Sequence, residues 1–166
     1  MAKYSTSWTS LTMTATADTT TFANSVYCAV GSGTALSMIK ISEVYIGGEA
    51  ASASTPATIV VARDSTNGAT PSGTGVRTAL TDAMGLAPAT APTGFTQATT
   101  NPQRSATAHL LHLSFNAYGG IVRWVASPDQ AITAATATAP NSEISISAIT
   151  AATAPVTSGH FLYEVV

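Results

Sequence analysis

Charge is what this chain has least of. Asp, Glu, Lys and Arg together make up 8 % of its 166 residues, against roughly a quarter of an average globular sequence. The basic residues Lys3, Lys40, Arg63, Arg77, Arg104 and Arg123 stand singly, and the net charge is −2. Scattered cations cannot neutralise a run of phosphates, so no nucleic-acid partner is expected. Cys28 is the single cysteine, which excludes an internal disulfide. A reactive thiolate needs a His partner and electropositive surroundings. Neither lies near Cys28 in sequence, so a buried structural thiol is expected. No apolar run approaches the ~18 residues of a membrane helix. The opening Met-Ala-Lys-Tyr-Ser-Thr lacks the apolar segment of a secretory signal. Synthesis in a cytoplasm, with no export by that route and no membrane partner, is the expectation. There is no glycine-rich phosphate loop and no Gly-x-Ser-x-Gly elbow. No cofactor and no enzymatic activity are expected.

Ala, Thr and Ser fill the space that ions leave, and the 45 % hydrophobic content is inflated by Ala. Such a surface does not repel its neighbours, whereas soluble monomers usually keep both signs of charge on theirs. It fits either a hydroxyl-coated soluble domain or a surface covered in an assembly. The length fits one domain able to bury about 70 % of its unfolded surface.

Hydrophobic periodicity is strand-like almost throughout. Leu110 to Phe115 and Ile121 to Val125, joined by Asn116-Ala-Tyr-Gly119-Gly120, read as a hairpin at the centre of an all-β core. Leu111, Leu113 and Phe115 share one face of the first run, and Val122 and Trp124 one face of the second. Further strands are expected at Phe22 to Val30, Leu36 to Ile46, Thr58 to Arg63, Glu143 to Ile149 and Phe161 to the end. Leu36 to Ile46 carries apolar residues on both faces, as a strand buried between layers does, and Gly47-Gly48 ends it. Ile144, Ile146 and Ala148 alternate with Ser145 and Ser147, the pattern of a half-buried antiparallel strand. Ala131 to Ala139 is a low-information run. About eight short strands with turns between them fit a sandwich or barrel. Residues 69–106, rich in Pro and Gly, form an excursion with a helical turn near Thr78 to Met84. Residues 1–17 read as an extended N-terminal arm. Tyr4 and Trp8 share one parity and Leu11 and Met13 the other, which marks either an arm or a bulge.

His109 and His112, three apart on a strand, point to opposite faces on regular geometry and so do not share a metal. His160 has no neighbour in sequence to help it. Arg123 lies mid-strand beside Trp124, where a charge needs a partner; Glu43 or Glu164 across the sheet, or a carboxylate of another subunit, is expected to supply one. Phe95 and Tyr118 are loop aromatics suited to packing, to a sugar or to a protein partner.

Several segments resemble a known family. These are the strand ending Val-Tyr-Ile-Gly-Gly48, the strand Thr-Ile-Val-Val-Ala-Arg63, the run Arg123-Trp124-Val-Ala-Ser-Pro128 and the final Phe-Leu-Tyr-Glu164. Over residues 36–166 the chain is similar to small tailed-phage capsid decoration (cement) proteins. The resemblance implies a jelly-roll domain over residues 18–166 that forms a homotrimer on the outer surface of a bacteriophage head. There it stabilises contacts between major capsid proteins, as a virion component made in the host cytoplasm. Lys3, Tyr4, Trp8, Leu11, Met13, Phe95, Arg104 and Tyr118 are the residues assigned to the capsid or subunit interface. The competing readings are a carbohydrate-binding or receptor-binding module of a virion fibre, and a cupin-like enzyme built on the three histidines.

Overall fold

The structure, a computed structural model, describes residues 3–13, 26–29, 38–49, 56–66, 76–79, 93–96, 103–135, 143–149 and 154–166. These residues form eleven strands: β1 (Lys3–Thr12), β2 (Val26–Ala29), β3 (Met38–Glu49), β4 (Pro56–Thr66), β5 (Val76–Ala79), β6 (Thr93–Thr96), β7 (Gln103–Asn116), β8 (Tyr118–Val125), β9 (Ile132–Ala135), β10 (Glu143–Ala148) and β11 (Val156–Val165). Among the described residues no helix is long and apolar enough to cross a membrane.

The protein is all-β, with every strand pair antiparallel. Eight strands make two layers, ordered β1-β11-β3-β8 and β2-β10-β4-β7. The other three are four-residue additions: β5 beyond β1, β6 beyond β2, and β9 on the first half of β3. The first layer turns Tyr4, Trp8, Leu11, Met13, Ile39, Ile41, Val44, Ile46, Phe161 and Tyr163 inward. The second meets them with Ile59, Val61, Leu113, Ile144, Ile146 and Ala148. Arg63 on β4 bridges the layers, donating from Nε and Nη2 to the Thr133 carbonyl of β9 at 3.1 and 2.5 Å.

Bulges set the phase of three long strands. Between Trp8 and Leu11 the register of β1 on β11 shifts, so Tyr4, Trp8, Leu11 and Met13 all point into the core despite their change of parity. On β3 the shift falls at Ser42, because Glu43 faces Leu162 while Ile41 faces Tyr163. Ile39, Ile41, Val44 and Ile46 therefore share one side, and β3 is not apolar on both faces as its sequence suggests. On β7 the shift falls at Leu110, since Leu111 faces Val61 and His109 faces Ala62. An extra residue in one strand reverses every side chain beyond it.

Several expectations are corrected. Residues 3–12 are no arm: β1 is an interior strand between β11 and β5. Its sparse apolar residues suffice because each alternate position meets the core. Leu110–Phe115 and Ile121–Val125 are not a hairpin. The first pairs with β4 and the second with β3, so the chain crosses from one layer to the other at Ala117. Among the described residues both strands end their layers, so neither is central. Close packing at the crossover explains its glycines. A Cβ on Gly48 would lie 2.2 Å from the Ala117 carbonyl oxygen, and Gly119 has φ of +66°. Gly47-Gly48 does not end β3, which continues to Glu49. The 69–106 stretch contributes β5, β6 and the start of β7, and Thr78–Ala79 is extended, not helical; residues 80–92 lie outside the described residues. Ile132–Ala135, read as low-information, is a strand. On β10 the alternation holds, yet Ser145 and Ser147 are buried as well. Cys28 lies on β2, and its side chain is outside the described residues.

Candidate functional site

The outer face of the β1-β11-β3-β8 layer carries its most organised polar group. Residues opposite one another in antiparallel pairs project to the same side. Ser7, His160, Tyr45 and Arg123 are successive partners across β1, β11, β3 and β8, so they form one row. The His160 and Tyr45 rings stack at 5.3 Å with 7° between their planes. Arg123 Nε donates to Glu43 Oε1 at 2.9 Å and Nη2 to Oε2 at 2.8 Å. His160 Nε2 lies 3.6 Å from the same carboxylate. The guanidinium is the main reason the Glu43 carboxyl titrates below its usual range, and Glu43 in turn raises Arg123. The expected partner Glu43 is thus the one found, within the same subunit.

Beside this row is a hollow of about 440 Å³. Its walls include Tyr45, His160, Ile121 and Glu49, and Gly47 lies in its floor, with Trp8 reached past Gly159. Glu49 is tied at the rim. Ser10 Oγ donates to its Oε2 at 2.6 Å, and Ser158 Oγ donates to Oε1. These hydroxyls, Ser10 first, hold the Glu49 carboxyl below its usual range. Ser10 has φ of +49°, uncommon for a residue with a Cβ. Its N–H donates to Ser158 Oγ at 2.8 Å, which anchors the β1 bulge to β11.

The residues assigned to an interface separate into groups. Tyr4, Trp8, Leu11 and Met13 are buried in the chain's own core and are corrected: at 6 % exposure or less they have almost no surface to offer a partner. Tyr4 stacks on Tyr163 at 5.7 Å, and Trp8 packs against Phe161 and donates to Thr157 Oγ1 at 3.2 Å. Lys3 is exposed and lies 3.4 Å from Glu164. Tyr118 is exposed at the start of β8. Phe95 and Arg104 lie on β6 and β7, but their side chains are outside the described residues.

The histidine reading also changes. The Leu110 bulge brings His109 and His112 to one side of β7, with ring centroids 4.3 Å apart and His112 Nε2 facing His109 Nδ1. Regular alternation would have separated them. Among the described residues no three His, Cys, Asp or Glu side chains come together as a metal group. Sequence reasoning missed Tyr45, Gly47, Glu49 and His160 as neighbours. The available signal was a Gly-Gly pair within a strand, which marks a place where backbone is approached closely.

Comparison with protein-family models, with curated proteins and with solved structures finds no match.

Proposed function

We propose that the chain is a structural virion protein, a capsid decoration protein that trimerises on the outer head surface and stabilises contacts between major capsid proteins. In this reading it is made in the host cytoplasm and has no catalytic role. The observation that carries the reading is the side of the sandwich where β7 and β8 end their layers. Four of the five large hydrophobic residues exposed among those described, Leu110, Tyr118, Ile121 and Val125, lie on these two strands. Open strand edges are templates for pairing with another chain unless charge or cover blunts them. Arg123, the cation on β8, is already committed to Glu43. The scarcity of ions over the whole chain favours association in the same direction.

The layer orders β1-β11-β3-β8 and β2-β10-β4-β7 support the jelly-roll reading. Two Greek keys wound together place consecutive strands such as β1 and β2, or β7 and β8, in opposite layers. Mass measurement in solution tests the proposal. Three copies per particle are expected, and Ile121→Asp with Val125→Asp should give a folded single copy that no longer binds empty capsid shells. A wild-type chain that stays solitary and ignores such shells would refute it.

A further inference from the structure

The hollow on the outer face borders the apolar β7–β8 side and shares Ile121 with it, but its other walls are of a different kind. It joins a carboxylate, stacked rings, an aliphatic wall and a floor without side chains. Gly47 is the informative residue. A Cβ added there meets only the Ser158 carbonyl oxygen at 3.9 Å, an ordinary contact. No positive φ is found at this position. Nothing among the described residues therefore requires glycine at Gly47, in contrast to Gly48 and Gly119. Glycine within a strand weakens it, and it recurs where a ligand lies close to the backbone. The register between β3 and β8 passes from Gly47–Ile121 to Glu49–Tyr118 and skips Gly48, Gly119 and Gly120. These peptide groups border the same hollow.

We propose that this hollow binds a neutral saccharide unit, with its C–H face toward Ile121 and the Gly47 floor, its edge against the Tyr45–His160 stack, and hydroxyls donating to Glu49. A sugar ring has one apolar face and a rim of donors, and the hollow presents the matching surfaces. A carboxylate has roughly four acceptor positions. The Ser10 and Ser158 hydroxyls leave room on Glu49 for a further donor, and they orient the group before a ligand arrives. A volume of about 440 Å³ is in the range of small-ligand sites. The inference does not depend on the decoration reading.

The test uses glucose, galactose, mannose and N-acetylglucosamine as probes, with saturation-transfer NMR followed by titration. At least one should bind with a Kd in the millimolar range or tighter. Gly47→Val should weaken that binding at least about tenfold while the melting temperature stays level or rises. Should Gly47→Val fail to fold, Tyr45→Ala carries the same expectation. Two results overturn the proposal. One is binding that neither variant changes. The other is a silent panel, and if Gly47→Val then disperses an oligomer, another copy covers the floor.

Discussion

β1 and β8 belong to the same layer and are built from the same alternation, yet they are held in opposite ways. β1 has β11 on one side and β5 on the other, and its inward residues are closed over by the second layer. β8 has β3 on one side and no strand paired on the other among the described residues. Trp8 on β1 is 4 % exposed, and Ile121 on β8 is 64 % exposed. Identity and hydrophobicity do not separate these strands; neighbours do. An interior strand contributes stability through nearly every alternate residue. A terminal strand leaves apolar surface over, and in this chain that surface is available for association.

The sharpest way to break the comparison is to truncate one apolar side chain on each strand. Trp8→Ala removes a ring packed on Phe161 and leaves the Thr157 hydroxyl without its indole donor. Its cost should be about 3–5 kcal/mol, on the order of 10 °C in melting temperature. Ile121→Ala should change stability by about 0.5 kcal/mol or less. Thermal unfolding of both variants at concentrations that keep the chain as single copies measures the gap, and equal losses there would mean that β8 is covered within the subunit. By the same argument, deleting residues up to Leu11 should unfold the domain and not merely detach it from a partner.

The seam between β3 and the β7–β8 crossover gives the next effect. Gly48→Ala places a Cβ against the Ala117 backbone, which cannot turn aside as a side-chain tip would. A loss of about 3 kcal/mol is expected, read as a lower urea midpoint with β8 amides exchanging faster than those of β1. Uniform exchange would show that β8 is as firmly held as β1.

The all-β class was legible because alternation survives in nearly every segment. The antiparallel pattern of Ile144, Ile146 and Ala148 reads directly. What did not read was anything that depends on the partner strand. Two β-runs joined by Asn116 to Gly120 look like a hairpin, because local turn chemistry says nothing of which layer each run joins. Bulges at Ser42 and Leu110 hide in the sequence for the same reason. A one-residue slip is visible only against the neighbouring strand, so Ile39 and Val44 read as opposite faces, and so did the two histidines. The change of parity in β1 was visible in Tyr4, Trp8, Leu11 and Met13. It was compatible with an arm until β11 and β5 were seen on either side. Arg123 was legible as a residue in need of a partner, and Glu43 as a candidate. The hollow was not, because its floor, walls and carboxylate come from β3, β8 and β11, far apart in the chain.

The smallest effect concerns the polar pin that fastens β8 to the layer. Arg123 reaches back across β3 to Glu43, which is 11 % exposed at its side chain, while Arg123 itself is 60 % exposed. The carboxyl carries the asymmetry: without the guanidinium, Glu43 remains a nearly covered charge with a weaker partner in His160. Its folded titration lies below the ordinary value of 4.5, first because of the Arg123 hydrogen bond. A carboxyl depressed on folding stabilises the protein above its unfolded value and loses that contribution as pH falls through the folded one. Arg123→Met should therefore lower the melting temperature at pH 7, and the gap from wild type should close as the pH falls below 4.5 and on through the depressed folded value, where Glu43 takes up a proton. The loss should be smaller than for Trp8→Ala, because the guanidinium side of the pair stands in solvent and is screened there. A gap that stays constant across this range would assign the effect to the methylenes of Arg123 packing on β3. It would then be apolar contact, as on β1, that holds the terminal strand.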